Sequence, residues 1–369
     1  MGLNILICVN DQPNDALTQL VSEVEVYEKI DENTHYKLHF VVDVCDGDIA
    51  QSLQSITTNG TILSVLAQTG NGLACLVKGP VLQQDSNLQH GGAGSWIKVE
   101  GEDFGYVMDH TVQFRVTDSG TDADIVTQII SSYPAMTADV EATPSSTYDE
   151  NNHSHVQRES NLSVIKTLAR RNGYHFWITV DEAGQSTGHF KPKSLLGNPT
   201  ADLIVNAENN NIEGLRLNAD TRRPTQTEGL QVNLRTREIM GNNVSLDDPA
   251  LGTDTLATAA GDTAQTVHLA PTVDDAGAIQ ARSEGALRDA QWFINATCRT
   301  SVHRLCNKLI RFHTLVNMVG AGSRYSGKYY VTGVKHTINA AAHAMDLELA
   351  RNAWGVETAS ASGVAASIF

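Results

Sequence analysis

Apolar and polar residues alternate along much of the first third of the chain, which is the pattern of β-strands with one buried face. The clearest example runs from Tyr36 to Val44. Two short apolar segments, Thr61 to Gln68 and Leu73 to Lys78, are joined through Gly70-Asn71-Gly72, whose residues tolerate a positive φ and favour a hairpin. These patterns predict a small barrel or a curled sheet.

Helical periodicity appears in the middle third. The first predicted helix has a capping residue at Thr121 or Asp122 and ends before Pro134. The second spans 160–172 and has Ser160 as its cap, Arg170-Arg171 in its last turn and a glycine directly after it. An alternating strand at 174–180 follows. We therefore expect two helices and at least one strand in this region.

The β pattern returns in the last third, where short strands are predicted at 215–218, 230–234, 308–312, 314–319, 329–335 and 345–349. A helix is predicted from Ala276 to Asn295. The intervening Met240 to Asp275 is rich in Gly, Asp, Thr and Ala and has little periodicity, which indicates a long exposed insertion or mobile loop.

The fold class that follows is α+β, mainly β, with two β-rich units on either side of a middle α+β segment. This arrangement is a coarse duplication without an exact internal repeat. The expected domains are a first β-barrel-like domain at 1–100, a middle α+β domain at 101–200, a second β-barrel-like domain at 201–355 with the exposed insertion 240–275, and a flexible tail at 356–369.

Charge narrows the classes of partner. The 42 acidic and 26 basic residues give a formal net charge of -16, which disfavours binding to a phosphate backbone. No stretch approaches the roughly 20 apolar residues that cross a bilayer, and Met1 to Asn10 lacks the positive start of a signal peptide. We therefore expect synthesis in the cytoplasm, without nucleic-acid recognition or a membrane span.

The cysteines are odd in number, scattered and without a CxxC pair, which predicts reduced and mostly buried thiols. They are Cys8, Cys45, Cys75, Cys298 and Cys306. A zinc set could be composed of Cys298, His303, Cys306 and His313, but the spacing is poor, so separate core and surface roles are favoured over metal binding.

Other candidate motifs each have a simpler structural interpretation. Asp46 and Asp48 flank Gly47 as in a calcium loop, but the required downstream glutamate is missing, so a turn is favoured. His153 and His155 lie in a polar loop, where solvent exposure is favoured over metal binding.

A glycine loop from Gly320 to Gly327 resembles a phosphate-binding loop, but a strand rather than a helix follows it, so a β-hairpin connection is favoured. The basic pair Arg170-Arg171 suits the negative end of a helix better than a ligand clamp. No H-E-x-x-H motif is present. The sequence therefore predicts no catalytic, cofactor-binding or metal-binding residues and no enzymatic activity.

Two segments carry a family resemblance. Gln157 to Leu162, continuing through Leu168 to Tyr174, resembles the "Q-x-E-S-(D/N)-L/F … L-A-R-x-x-G-Y/I" segment of late-control-D and VgrG-type hub proteins. Val319 to His336 resembles the late "G-x-G-x-x-(F/Y)-S-G-x-Y-x-V-T-x-V-x-H" strand pair of the same proteins, and Arg351-Asn352 matches their usual ending. The resemblance covers roughly Gly94 to Asn352.

The resemblance implies a gp27-like baseplate hub of a phage tail, tailocin or extracellular contractile injection system. Such a hub is a homotrimeric ring of paired tube-like β-barrel domains, and it adapts a hexameric tail tube to a trimeric spike. The expected partners are thus two further copies, the spike, the inner tube and other baseplate components, within a phage tail or phage-tail-like particle.

The chain departs from the full VgrG pattern, because nothing after Gly355 could form an additional OB-like module or a needle. Spike piercing is therefore expected to belong to another chain. Which residues form the interfaces cannot be assigned from periodicity. The alternatives are a hub-associated peptidoglycan hydrolase and a soluble ligand-binding β protein.

Overall fold

The fold is described here from a computed structural model. It describes residues 3–42, 53, 56, 60–70, 72–89, 94–144, 147–150, 154–232, 237–244, 249–261, 265–269 and 276–355. The predictions for Cys45, for the turn Asp46-Gly47-Asp48, for His153 and for the tail 356–369 concern residues outside these ranges.

The strands of the first region are β1 Ile5–Val9, β2 Gln12–Pro13, β3 Val21–Lys29, β4 His35–Val42, β5 Ile62–Thr69, β6 Gly72–Asn87 and β7 Ser95–Glu102. Those of the middle region are β8 Arg115–Thr117, β9 Ser119–Gly120, β10 Met136–Val140, β11 Tyr148–Asp149, β12 His155–Gln157, β13 His175–Val180 and β14 Ser186–Lys191.

The strands of the last region are β15 Asp202–Ile204, β16 Glu213–Ala219, β17 Gln226–Val232, β18 Ile239–Val244, β19 Asp254–Thr255, β20 Thr266–Leu269, β21 Ile294–Ser301, β22 Leu315–Val319, β23 Gly327–Asn339, β24 His343–Arg351 and β25 Ala353–Trp354. The helices are α1 Asp15–Leu20, α2 Gly105–Asp109, α3 Asp122–Ser131, α4 Asn161–Asn172, α5 Leu256–Ala260, α6 Ala276–Ala290 and α7 Gly322–Tyr325. The interpretation as a mainly β protein is confirmed.

One large sheet connects the first and last regions of the chain. Its strand order is β16-β21-β24-β23-β3-β4-β7-β6-β5-β1-β2, and β22 with β15 branches from β23. The two regions meet where β3 pairs antiparallel with β23, from Lys29 opposite Gly333 to Glu23 opposite Asn339. Strands from opposite ends of the sequence therefore form a single continuous hydrogen-bonded surface.

Three large apolar cores lie along this framework. The first draws on β1 and β3–β7, with Phe40 and Val65 fully buried. The second draws on the last region, where Phe293 and Tyr329 are fully buried. The third is formed by α3, α4 and the small sheet β10-β14-β13, with Phe190 at its centre. Each core is supplied mainly by one region of the chain.

Most of the predicted elements are confirmed. The hairpin appears as β5 and β6, and both middle helices occur with the expected caps, since Thr121 and Ser160 accept backbone N–H bonds at the starts of α3 and α4. The strand predicted at 308–312 is wrong, because these residues form an irregular segment whose apolar side chains are buried. Ile310 and Phe312 point into the interior without joining a strand.

The described part of the segment 240–275 is mostly exposed, but it contains regular secondary structure. It contains the strands β19 and β20 and most of β18, which belong to two small sheets. It also contains the short helix α5. Leu251 and Leu256 are buried, and Leu251 packs in a small core with Trp292 and Tyr330. Low periodicity concealed this structure because the elements are short.

Gly79 lies where β6 crosses close to the end of β7. A Cβ at this position would meet the backbone oxygen of Glu102 at 1.7 Å, so a side chain would force the two backbones apart. We expect Gly79→Ala to lower the free energy of unfolding by about 1–3 kcal/mol, measured by denaturant titration. The control is Gly70→Ala, where the nearest contact is an ordinary 3.5 Å to Asn307 Cβ. Equal effects of the two substitutions would contradict the crowding argument.

Candidate interaction surface

The first family-like segment forms the start and end of α4. Ser160 caps the helix by accepting a hydrogen bond from the Ser163 N–H at 3.1 Å, and Gln157 Nε2 donates to Asn161 Oδ1 at 2.9 Å. Gly173 ends the helix with a left-handed φ of 68°, which glycine adopts without strain. These residues therefore serve to position a helix and the strand that follows.

Arg171 has a role that its place in the last helical turn does not reveal. Its Nε donates to Asp122 Oδ2 at 3.0 Å, and Asp122 is fully buried at the start of α3. Tyr148 and Asn172 each donate to the same carboxylate at 2.7 Å. The network connects α3, α4 and β11, whereas Arg170 is exposed and stays available as a helix C-terminal charge.

The family-like ending Arg351-Asn352 holds a loop in place. Arg351 is fully buried, and its guanidinium donates to the carbonyl oxygens of Leu251 and Ser326 at 2.6 and 2.8 Å. Asn352 accepts from the Leu251 N–H at 2.8 Å and donates to Pro249 O at 3.0 Å. Both side chains satisfy backbone groups and leave no donor set facing a ligand.

The glycine loop Gly320–Gly327 connects β22 and β23, which pair antiparallel, so the predicted hairpin connection is confirmed. The short helix α7 lies within it. Gly320 has a φ of 85°, and a Cβ there would approach Val205 O to 2.1 Å. The glycines are thus required by turn geometry and by close backbone packing.

The four residues considered for zinc have separate environments. Cys298 is buried in β21, whereas His303 and the exposed Cys306 lie on a short 3-10 turn and its end. His313 instead stacks against Trp177. Within the described part of the chain, no three His, Cys, Asp or Glu side chains form a group that could hold a metal ion.

The remaining candidates also have structural surroundings. His155 is half-buried in β12, with its ring 5.8 Å from that of Tyr148, so the predicted solvent exposure holds only in part. Cys8 and Cys75 are buried and free, as is Cys298, in agreement with the prediction of reduced thiols. Burial raises the pKa of the Cys75 thiol to about 12, which makes it unreactive near neutral pH.

A buried ion pair lies at the junction of the two sheet regions. Glu28 in β3 is fully buried, and Arg311 contacts its Oε1 at 2.5 Å. The same guanidinium donates to the carbonyl oxygens of Cys75 and Leu76 in β6 at 2.7 and 3.0 Å. Burial alone would raise the pKa of Glu28, but Arg311 and His336 outweigh it and hold the pKa below its usual value. Arg311 therefore fastens the last region of the chain to the first.

A stack of aromatic rings joins the middle region to the last one. The Trp177 ring lies between the rings of His313 at 3.7 Å and His189 at 4.9 Å. His313 Nδ1 contacts the Tyr330 hydroxyl at 2.8 Å. Burial, followed by the nearby His175 and Lys193, holds the pKa of His313 well below its usual value. The imidazole of His313 in this stack is therefore neutral near pH 7.

This stack predicts a loss of stability at mildly acidic pH. The unfolded state takes up a proton on His313 near pH 6.5 and the folded state does not, so stability is present above pH 6.5 and falls as the pH is lowered. We expect His313→Asn to flatten the dependence of unfolding free energy on pH by up to about 1.4 kcal/mol per pH unit between pH 6.5 and 5. Asparagine suits the left-handed φ of 57° at this position.

The measurement is a series of denaturant titrations of both proteins across this pH range. Asp103, whose pKa burial raises to about 6, opposes the trend because its protonation favours the folded state. It is present in both proteins and cancels in the comparison. Parallel curves for the two proteins would contradict the assignment.

An apolar surface is exposed on a two-stranded ribbon formed by β8 and β12. The ladder extends beyond both strands, since the Gln113 N–H donates to Glu159 O at 3.1 Å and Val112 bridges to Ser160. One face carries Val112, Phe114, Val116 and Val156, which are 71%, 75%, 56% and 43% exposed. We call these four residues the ribbon face. We take this exposed apolar group as the candidate interaction surface.

The sequence contains a signal for the ribbon face, because apolar residues alternate at Val112, Phe114 and Val116. The alternation indicates a strand with one apolar face. It does not show that the face is left uncovered, and no interface residue could be assigned before the fold was known.

The fold has counterparts among solved structures. A 43 kDa tail protein of prophage MuSo2 from Shewanella oneidensis has a TM-score of 0.66 and 13% identity, over 95% of this chain and 98% of that one. A tail protein from Neisseria meningitidis MC58 has a TM-score of 0.66 and 14% identity, over 95% and 97%. No family profile and no curated protein matches the sequence.

A third counterpart belongs to a secretion apparatus. A component of the type VI secretion system of E. coli, described as structurally similar to the T4 bacteriophage tail proteins gp27 and gp5, has a TM-score of 0.55 and 12% identity, over 92% of this chain and 76% of that one. The chain thus shares the fold of these phage tail and secretion-system proteins. Among the described residues, every helix is too short or too polar to cross a bilayer.

Proposed function

We propose that the protein is a structural baseplate hub of a contractile injection system, and that it acts by assembly rather than by catalysis. The observation that carries the proposal is the fold itself, which is similar over nearly the whole chain to two phage tail proteins. The two family-like segments support it independently, because they were identified from the residues alone.

In this proposal the chain forms a homotrimeric ring that connects a hexameric tail tube to a trimeric spike. Two β-rich regions within one subunit would offer six similar positions in a trimer, and the joined sheet would hold the two regions in a fixed relation. We further propose that these regions act as the two tube-like barrels and that the middle α+β region packs beside them. Synthesis in the bacterial cytoplasm and incorporation into a phage tail or tail-like particle complete the proposal.

The test is the mass of the purified full-length chain, alone and mixed with the spike and tube proteins of the same particle, by mass photometry. The proposal predicts a species of three subunits and a larger complex with each partner. A chain that stays monomeric and binds neither protein would refute it. Lysis of peptidoglycan by the purified chain, lost on replacing an acidic residue, would refute the non-enzymatic part.

A further inference from the structure

The two β-rich regions repeat one strand connectivity. In the first region β3, β4, β5, β6 and β7 lie side by side in the order β3-β4-β7-β6-β5. In the last region β16, β21, β22, β23 and β24 lie in the order β16-β21-β24-β23-β22. A β-bulge interrupts the ladder at the same strand pair, between Val81 and Gln83 in β6 and between Val331 and Gly333 in β23. Strand β6 therefore corresponds to β23, and β16 corresponds to β3.

One of two equivalent joints between such regions is made within the chain. Strand β23 pairs with β22 through its first residues and with β3 through its later ones. Its counterpart β6 pairs with β5 only as far as Pro80, and beyond this residue it pairs with β7 alone among the described strands. The counterpart of β3, strand β16, pairs with β21 alone among those strands. We call residues 83–88 the β6 edge and residues 213–219 the β16 edge.

Both edges leave part of the sheet interior without cover. On the β6 edge Ser86 is opposite the buried Ile97 but is itself exposed, and Leu88 on the same side of the strand is 59% exposed. On the β16 edge Leu215 and Leu217 are only half-buried and line a groove of about 520 Å³. A further strand beside either edge would cover these side chains.

The backbone of the β16 edge has hydrogen-bonding groups that face outward. The N–H and C=O of successive residues in a strand alternate between its two sides. The Asp220 N–H donates to Phe293 O, next to β21, at 2.9 Å. Leu217 is three residues away, so its N–H and C=O face the open side.

The same alternation can be followed to the β6 edge. The Asp103 N–H donates to Thr34 O, next to β4, at 2.8 Å, so five residues earlier Lys98 faces β6 instead. Asp85 is directly opposite Lys98 and bonds towards it. The next residue, Ser86, therefore directs its N–H and C=O to the open side.

The repeat gives the register of the missing joint. A row of directly opposed residues crosses each region from the residue before the bulge: Val331, Leu349, Ala296 and Leu217 in the last region, and Val81, Gly101, Tyr36 and Val26 in the first. Leu217 therefore corresponds to Val26. His336 and Ser86 each lie five residues beyond the start of their row. Because His336 is opposite Val26 in the existing joint, Ser86 is expected opposite Leu217, and these are residues whose backbone groups face outward.

We propose that the β6 edge of one subunit pairs antiparallel with the β16 edge of a second copy of this chain, and so repeats the joint of β23 with β3. The register places Leu88 opposite Leu215 and Asp85 opposite Asn218. This inference rests on the proposed function, because it assigns the subunit contacts of the proposed ring. Each subunit contributes one edge of each kind, which makes a head-to-tail contact. Three copies then alternate internal and intermolecular joints around six similar regions.

Cysteine crosslinking tests the register in the full-length chain, with the exposed Cys306 replaced by serine. Asp85→Cys and Asn218→Cys are combined, since both side chains are exposed and the register makes them a non-hydrogen-bonded pair with close side chains. Oxidation is expected to yield covalent dimers and trimers on a non-reducing gel. The control combines Asp85→Cys with Leu196→Cys, because Leu196 is 84% exposed and lies outside both edges. It is expected to crosslink no more than the single variants.

Mass photometry over a range of concentrations tests the contact without a crosslink. Leu88→Asp places a charge beside Leu215 and is expected to weaken association by roughly tenfold or more. Leu196→Asp is the matched control and is expected to assemble as the wild type does. Circular dichroism checks that both variants are folded.

The outcomes separate this inference from the hub function. A trimer in which the Asp85→Cys, Asn218→Cys variant crosslinks no more than the control would overturn the inference and leave the hub function standing. Full assembly of Leu88→Asp would also overturn it. Crosslinked trimers that bind neither spike nor tube would support the inference and contradict the hub function.

Discussion

Replacing Arg311 with methionine is expected to lower the free energy of unfolding by about 3–5 kcal/mol, because it leaves the fully buried Glu28 with only His336, 3.7 Å away, beside its carboxylate. The substitution also removes two hydrogen bonds to backbone carbonyls of β6. Denaturant titration at pH 7 measures the effect. Adding Glu28→Gln should recover part of the loss, since it removes the stranded charge.

The matched control is Arg304→Met, which breaks a 3.0 Å pair with Glu213 in which both side chains are largely solvated. Surface pairs of this kind contribute about 0–1 kcal/mol. If the two arginine substitutions had similar effects, the junction between the sheet regions would not depend on Arg311.

Arg171→Met is expected to destabilise the middle region by a similar amount, about 3–5 kcal/mol, since it strands the fully buried Asp122. The hydroxyl of Tyr148 and the amide of Asn172 remain as donors but carry no charge to balance the carboxylate. Denaturant titration followed by tryptophan fluorescence measures the effect, and Trp177, one of the four tryptophans, lies in this region with its ring stacked within the fold.

The neighbouring residue supplies the control for this substitution. Arg170→Met changes an exposed arginine on the same helical turn, and it is expected to alter stability by less than about 0.5 kcal/mol. Because both variants lose one positive charge near the end of α4, a difference between them isolates the buried pair. Equal stability of the two variants would show that Asp122 does not depend on Arg171.

The features that the sequence predicted well are local. Thr121, Ser160 and Gly173 act on backbone groups within four residues of themselves, so their effect on α3 and α4 can be inferred without knowing the fold. The hairpin of β5 and β6 is likewise set by its own turn. The family-like segments contain several of these local signals, which is why they were recognisable.

The features that the sequence did not predict depend on distant partners. The pattern at 308–312 suits a strand as well as a buried irregular segment, and the contact that Arg311 in this segment makes with the distant Glu28 cannot be inferred from it. The pairing of β3 with β23 has no signal in either strand alone. The same limit applies to the ribbon face, whose alternation was visible but whose exposure was not.

The pairing of β3 with β23 also constrains when the protein can mature. Glu28 in β3 is opposite Val334 in β23, so about 300 residues must be synthesised after β3 before its neighbour β23 exists. At roughly 5–20 residues per second this interval lasts about 15–60 s, during which the β3 edge has no native partner on that side. A truncated chain that ends before β23 cannot complete the sheet. Completion of the large sheet therefore depends on synthesis of the last region of the chain.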